Sequence, residues 1–173
     1  MLVRETDCAP YPEFGEGSAV ALTIRPAEGT DIAAMAAIRT QEWGTEAYWV
    51  DRISGYMNGQ SSPQQALPER TVYVAIEEGK LVGLVAGHRT RRLGCDAELE
   101  WVNVVPEKRG QGIADKLMAQ MGAWFVEQDA GPVCVNVAPE NATARKLYAR
   151  WGAHELNKFW MVWDDARLIG TRD

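Results

Sequence analysis

Apolar and polar positions change period several times along the 173 residues, and each change marks an element. Residues 20–25 alternate as a first strand, which Pro26 stops because it has no N–H to give a ladder. Thr30 or Asp31 stands where a helix N-cap is expected, ahead of Ile32, Met35, Ala36 and Ile38 on one helical face. Between positions 43 and 57 the chain carries Trp43, Tyr48, Trp49, Ile53, Tyr56 and Met57, which fits a second helix, and residues 58–68 read as a polar loop. That aromatic group is either ordinary core or the wall of a substrate pocket. Residues 71–77 and 80–90 are two strand-like runs across a Glu78-Gly79 turn, a hairpin signal. Arg89, Arg91 and Arg92 follow, and read as a solvated turn rather than a recognition patch.

Residues 97–118 carry a strand, a glycine turn and the start of a helix. The stretch 98–105 is β-branched and aromatic with charges at alternate places, Pro106 ends it, and residues 113–128 are amphipathic through Leu117, Met121, Trp124 and Phe125. Gly131-Pro132 breaks that helix, 133–138 read as a fifth strand, and 141–151 as a short helix stopped by Gly152. Two short strands, 154–156 and 159–163, close the pattern. The order predicts a mixed α/β sandwich of six to seven strands and about four helices, its sheet partly antiparallel. One domain over residues 19–173 is expected, because the length suits one core, and residues 1–18, with Pro10, Pro12, Gly15 and Gly17 among acids, read as a flexible arm.

Composition narrows the partners. A formal charge of -6 argues against a nucleic-acid binder, which needs a basic face, and favours cationic ligands. Cys8, Cys95 and Cys134 are an odd number without ligand spacing, so reduced thiols are expected rather than disulfides or a metal site. Neither an apolar leader nor an apolar run of membrane-spanning length is visible, and a soluble, cytoplasmic protein is the expectation. The oligomeric state has no signal here, and a homodimer is the common default.

The turn Arg109-Gly110-Gln111-Gly112-Ile113-Ala114 carries the first chemistry. Its glycines let several N–H groups converge at a helix N-terminus, where peptide dipoles favour a phosphate, and a diphosphate is the natural guest. A dinucleotide fingerprint would place Gly or Ala three residues after Gly112, where Asp115 stands, and a Walker loop would need Gly-Lys-Ser/Thr. A second segment, Asn141-Ala142-Thr143-Ala144-Arg145-Lys146-Leu147-Tyr148, followed by Trp151-Gly152-Ala153, lies downstream. In these two motifs, in their order and in their placement on elements, the chain resembles the GNAT superfamily of acetyl-CoA-dependent N-acyltransferases. The similarity of element order covers residues 20–163, but the leader and residues 43–68 match nothing specific.

The resemblance implies a GNAT fold and an N-acetyltransferase that moves the acetyl group of acetyl-CoA, without a metal, directly onto a small-molecule or peptide amine. A non-catalytic acyl-CoA-binding regulatory module that keeps the fold stays open. It further implies that the backbone of Val102, Asn103 and Val104 pairs with the pantetheine arm, and that an N–H near Val102 or Val104 meets the oxyanion. Arg109, Gly110, Gln111, Gly112, Ile113 and Ala114 would hold the diphosphate and Asn141 the cofactor arm. Tyr148 would protonate the leaving sulfur, since a phenol of pKa about 10 can donate to a thiolate.

An amine of pKa about 10.4 arrives charged and must lose a proton. Glu98 and Glu100, two apart on a strand and so on one face, are the candidate bases, or else are simply exposed or salt-bridged. Histone acetyltransferases resemble the chain in carrying a glutamate where Glu98 stands, and serotonin acetyltransferases carry histidines at both places. Asn136 occupies the place where ribosomal-protein N-terminal acetyltransferases have a glutamate, which speaks against that specialisation. In this fold the acceptor lies against the first two helices and the last strands, near Trp43, Tyr48, Trp49, Phe159 and Trp160.

Overall fold

Among the described residues, strand-like runs and amphipathic stretches resolve into seven strands and four α-helices. The strands are β1 (Leu22–Pro26), β2 (Ala66–Glu77), β3 (Lys80–Thr90), β4 (Ala97–Val104), β5 (Val133–Asn136), β6 (His154–Asn157) and β7 (Trp160–Trp163). The helices are α1 (Ile32–Thr40), α2 (Glu46–Asn58), α3 (Ile113–Glu127) and α4 (Ala142–Ala149). The computed structural model describes residues 20–170, so the arm expected over 1–18 lies outside them. The sheet runs β1-β2-β3-β4-β5-β7-β6. Every neighbouring pair is antiparallel except β4 and β5, which makes the expected mixed, mostly antiparallel α/β sandwich.

Alternation along the central strands sends residues to two apolar layers. On one face Val85, Leu99, Val133 and Trp163 meet Leu117, Met118, Met121 and Phe125 of α3. On the other, Val74, Leu84, Ala86 and Trp101 meet Met35 of α1 and Trp49, Ile53 and Tyr56 of α2. Burying each such large side chain is worth roughly 1.5–3 kcal/mol, so both helical layers are held mainly by these stripes. Helix α3 approaches the sheet closely at Gly87, where a Cβ would lie 2.7 Å from Phe125 Cζ and 2.8 Å from Met121 Sδ.

Three local expectations are corrected. Strand β2 starts at Ala66, inside the stretch read as a polar loop, because Pro68 sits in a register shift between Ala66 and Arg70 that hides the strand pattern. Helix α2 starts only at Glu46, where Thr45 Oγ1 accepts from Tyr48 N at 3.2 Å, and Gly44 at φ +83° leaves Trp43 in the preceding turn. Neither Thr30 nor Asp31 caps α1 with its side chain. The Asp31 carboxylate instead accepts from Glu28 N at 2.7 Å and pairs with Arg25 at 2.7 Å, which fixes the chain one turn earlier.

Two irregularities shape β4. Its pairing with β5 spans only Ala97–Val133 to Leu99–Val135, so residues 100–104 keep β3 on one side and no strand on the other. Opposite β3, Trp101 pairs with Ala86 and Leu99 with Gly87, leaving Glu100 as the extra residue of a bulge. Leu99 therefore packs under α3 and Trp101 against α1 and α2, although they are two apart. Among the described residues no helix is long and apolar enough to cross a membrane.

Candidate active site

A cleft of about 1570 Å³ opens where β4 and β5 part, and its two ends differ in construction. At the α3 end the chain presents backbone. Gly110 and Gly112 lie at φ +76° and +80°, the left-handed region, and a Cβ on either would meet nothing within 4 Å. Conformation rather than space demands glycine there. Gly112 is the N-cap of α3 and offers no side-chain cap, which suits the start of that helix to an anion. Arg109 Nε donates to Val104 O at 3.1 Å and ties the turn to the end of β4.

Most residues expected at the cofactor line this cleft: Val102, Val104, Gly110, Gly112, Asn141 and Tyr148 among them. Arg109, Ile113 and Ala114 also reach it, whereas Gln111 is exposed and does not. Asn103 turns its side chain toward α1: Oδ1 accepts from Arg39 Nη1 at 2.7 Å and Nδ2 donates to Glu42 Oε1 at 2.6 Å. Asn141 Oδ1 caps α4 by accepting from Ala144 N at 3.1 Å. Tyr148 is 6% exposed, with its ring 5.5 Å from that of Trp163. Burial pushes its phenol well above the ordinary value, Glu42 adds to this, and Arg39 opposes it.

At the α1–α2 end the lining is side chains. Glu98 and Glu100 do share a face: Glu98 Oε2 lies 3.3 Å from Arg92 Nε and 3.4 Å from His88 Nε2, and Glu100 Oε1 lies 3.4 Å from Arg52 Nη2. Burial raises the Glu100 carboxyl, positive charge at His88 would lower it, and Glu98 raises it again. Atoms of His88, Glu98 and Glu100 fall within 4.8 Å of one another, a grouping that sequence spacing did not show. Two guanidiniums already face those carboxylates and supply the positive charge a cation would bring.

The aromatic group divides between the two readings. Ile53 and Tyr56 are core, Trp49 is buried yet also lines the cleft, and Trp43 and Tyr48 are exposed and line it, with the rings of Trp43, Tyr48 and Trp49 5.0–5.2 Å apart. Trp160 joins from β7 beneath Arg92, whose guanidinium carbon lies 4.9 Å from its ring. Arg92 thus belongs to the site and not to a solvated turn. Arg89 bonds the carbonyls of Asp96 and Gln128, and Arg91 is exposed.

Arg39, Arg52 and His88 were not singled out by sequence, although two of them left a signal. Arg39 continues the Ile32, Met35, Ala36 stripe at helical spacing, and it is buried with its guanidinium 4.3 Å from the Trp49 ring and 5.7 Å from Trp101. His88 continues the alternation of Leu84 and Ala86 into the same core face and is fully buried.

A mixed sheet that parts beside an open helix N-terminus defines a class of α/β protein able to seat an extended, phosphate-bearing ligand. The chain belongs to the acetyltransferase (GNAT) family, whose model matches residues 32–153. Its fold is shared with an aminoglycoside N-acetyltransferase solved with CoA, at 19% identity and TM-score 0.68 over 82% of this chain and 93% of that one. It is likewise similar to a spermidine N-acetyltransferase from Vibrio cholerae solved with CoA and spermine, at 18% identity, TM-score 0.65, and 85% and 97% coverage. A ribosomal-protein-alanine N-acetyltransferase from Brucella melitensis gives 20% identity, TM-score 0.63, and 82% and 99% coverage. No curated protein sequence matches it.

Proposed function

We propose that this protein moves the acetyl group of acetyl-CoA onto a primary amine by direct attack in a ternary complex. The observation that carries the reading is the single cleft joining the open α3 N-terminus, the unpaired edge of β4, Tyr148 and the carboxylates of Glu98 and Glu100. The residues present fit the cofactor: left-handed glycines suit a diphosphate, and a strand edge suits an amide-bearing arm. Acetyl-CoA, as co-substrate, supplies the activated thioester.

Residues 102–104 hold the arm by strand-like pairing, and an N–H of Val102 or Val104 faces the developing oxyanion. Asn141, with Oδ1 committed to the helix cap, keeps its amide Nδ2 for the arm. Glu100 or Glu98 takes the proton of the arriving ammonium, directly or through water. Tyr148, kept protonated at neutral pH by its burial, donates to the departing sulfur. The acceptor rests against Trp43, Tyr48, Trp49 and Trp160, where aromatic faces and carboxylates suit an amine with an apolar or cationic body.

The test is thiol release from acetyl-CoA across polyamines, aminoglycosides, amino acids and short peptides, with the product identified by mass spectrometry. Amine-dependent release with an acetylated product is expected. Tight CoA binding with no acetylated product from any amine would favour the non-catalytic binding module.

A further inference from the structure

His88 is a buried group beside the acceptor end to which the proposed mechanism gives no part. It is 0% exposed on β3, with Nδ1 3.0 Å from the Tyr56 hydroxyl and Nε2 3.4 Å from Glu98 Oε2. Neither His88 Nε2 nor Glu98 Oε2 completes a hydrogen bond among the described residues, so two buried polar atoms face each other with their capacity unspent. Such an arrangement inside a packed layer specifies something other than stability, because apolar neighbours would be easier to bury.

The partners decide the tautomer. Burial drives the Tyr56 phenol well above its ordinary range, so Tyr56 keeps its proton and can donate it to Nδ1. The imidazole hydrogen then sits on Nε2, on the side of the Glu98 carboxylate that Arg92 also approaches. The opposite tautomer would aim a lone pair at a carboxylate oxygen. Both carboxylates line the cleft, but Glu98 is approached from two sides and 4% exposed, while Glu100, displaced by the bulge, is only half-buried and accepts a single hydrogen bond, from Arg52 at 3.4 Å.

On the acetyltransferase reading, we propose that His88, fixed by Tyr56, is a positioning residue that holds Glu98 in place and leaves Glu100 as the carboxylate that takes the proton from the amine. The charged and titratable groups facing His88 are Tyr56 and Arg52 from α2, Glu98 and Glu100 from β4, and Arg92 from the turn between β3 and β4. Arg70 of β2 lies behind the Tyr56 ring at 5.2 Å. Electrostatics gives opposite signs to two substitutions. If the ring takes a second proton, Tyr56 O must turn to accept from Nδ1–H, and that positive charge favours the Glu100 carboxylate, which Glu98 disfavours.

Two measurements test this. The first is the pH dependence of kcat with the best acceptor. His88→Gln should move the acidic limb up by about half a pH unit or more, and Glu98→Gln should move it down. Glu100→Gln should abolish that limb together with most of the turnover. The second is the titration of the imidazole carbon-bound protons by NMR, simple in a chain with 2 histidines, where His154→Gln identifies the other signal. The His88 signal should respond to Glu98→Gln and to Tyr56→Phe. An unmoved limb in both variants, or a His88 signal indifferent to Glu98→Gln, overturns the proposal. Loss of melting temperature in His88→Gln without a shifted limb counts equally against it. Because the NMR arm needs no turnover, failure of this inference and failure of the acetyltransferase reading remain distinguishable.

Discussion

At the α3 end of the cleft the chain works with its backbone, through two left-handed glycines, an uncapped helix start and an unpaired strand edge, all within residues 100–114. At the α1–α2 end it works with side chains drawn from α1, α2, β3, β4 and β7, and almost every charge there has an opposite within about 3.5 Å. A backbone site recognises what its ligand always offers, phosphates and amides, and tolerates little local variation. A side-chain site sets which acceptor enters, and single substitutions can retune it. The two ends meet at Tyr148, which feels Glu42 and Arg39 of the α1 side from its place on α4.

Because Tyr148 stands at that junction, Tyr148→Phe should have the largest effect. Loss of a general acid is worth about 10²–10⁴-fold, so kcat should fall by that order while CoA affinity, read by calorimetry, stays close to wild type. Unchanged turnover with the chemical step rate-limiting would remove Tyr148 as the acid. Gly112→Ala addresses the backbone end alone. Holding alanine at φ +80° costs about 1–2 kcal/mol, so CoA affinity should drop about tenfold or stability should fall by that amount, with the preference among acceptors unchanged.

Trp43→Ala tests the other end. The ring is 55% exposed and lines the cleft, so its loss should raise the acceptor KM roughly threefold to tenfold and leave CoA binding untouched. An effect on CoA rather than on the acceptor would erase the division between the two ends. The smallest change is expected from Asp31→Asn, remote from both. Its hydrogen bond from Arg25 holds the Asp31 carboxyl below the usual range. The bonded carboxylate therefore stabilises the fold fully above about pH 4 and loses this as the pH falls through its lowered value. With Arg25 36% exposed, the substitution should cost about 1 kcal/mol at neutral pH, read by denaturant titration, and progressively less as the pH falls below about 4.

Most of the fold was legible because its signals are local. The period change at 113, the glycines at 110 and 112 and the stop at Gly152 each depend on neighbours a few residues away, and the observed α3 and the turn before it agree with them. Strand β2 is hidden at its start because Pro68 interrupts the pattern where the register shifts. Trp43 reads as helical because its aromatic neighbours outweigh the break that Gly44 makes.

By itself the sequence determined the family, the order of elements and the phosphate-suited turn, since periodicity and turn chemistry act over a few residues. It also placed Glu98 and Glu100 on one face. Only the tertiary structure decided how that face is furnished. Arg52 reaches Glu100 from 48 residues away, Arg39 reaches Asn103 from 64 away, and Tyr56 holds His88 across 32. Such pairings depend on sheet register, on one bulged residue and on the depth at which two helices lie over β4, and no local period records them.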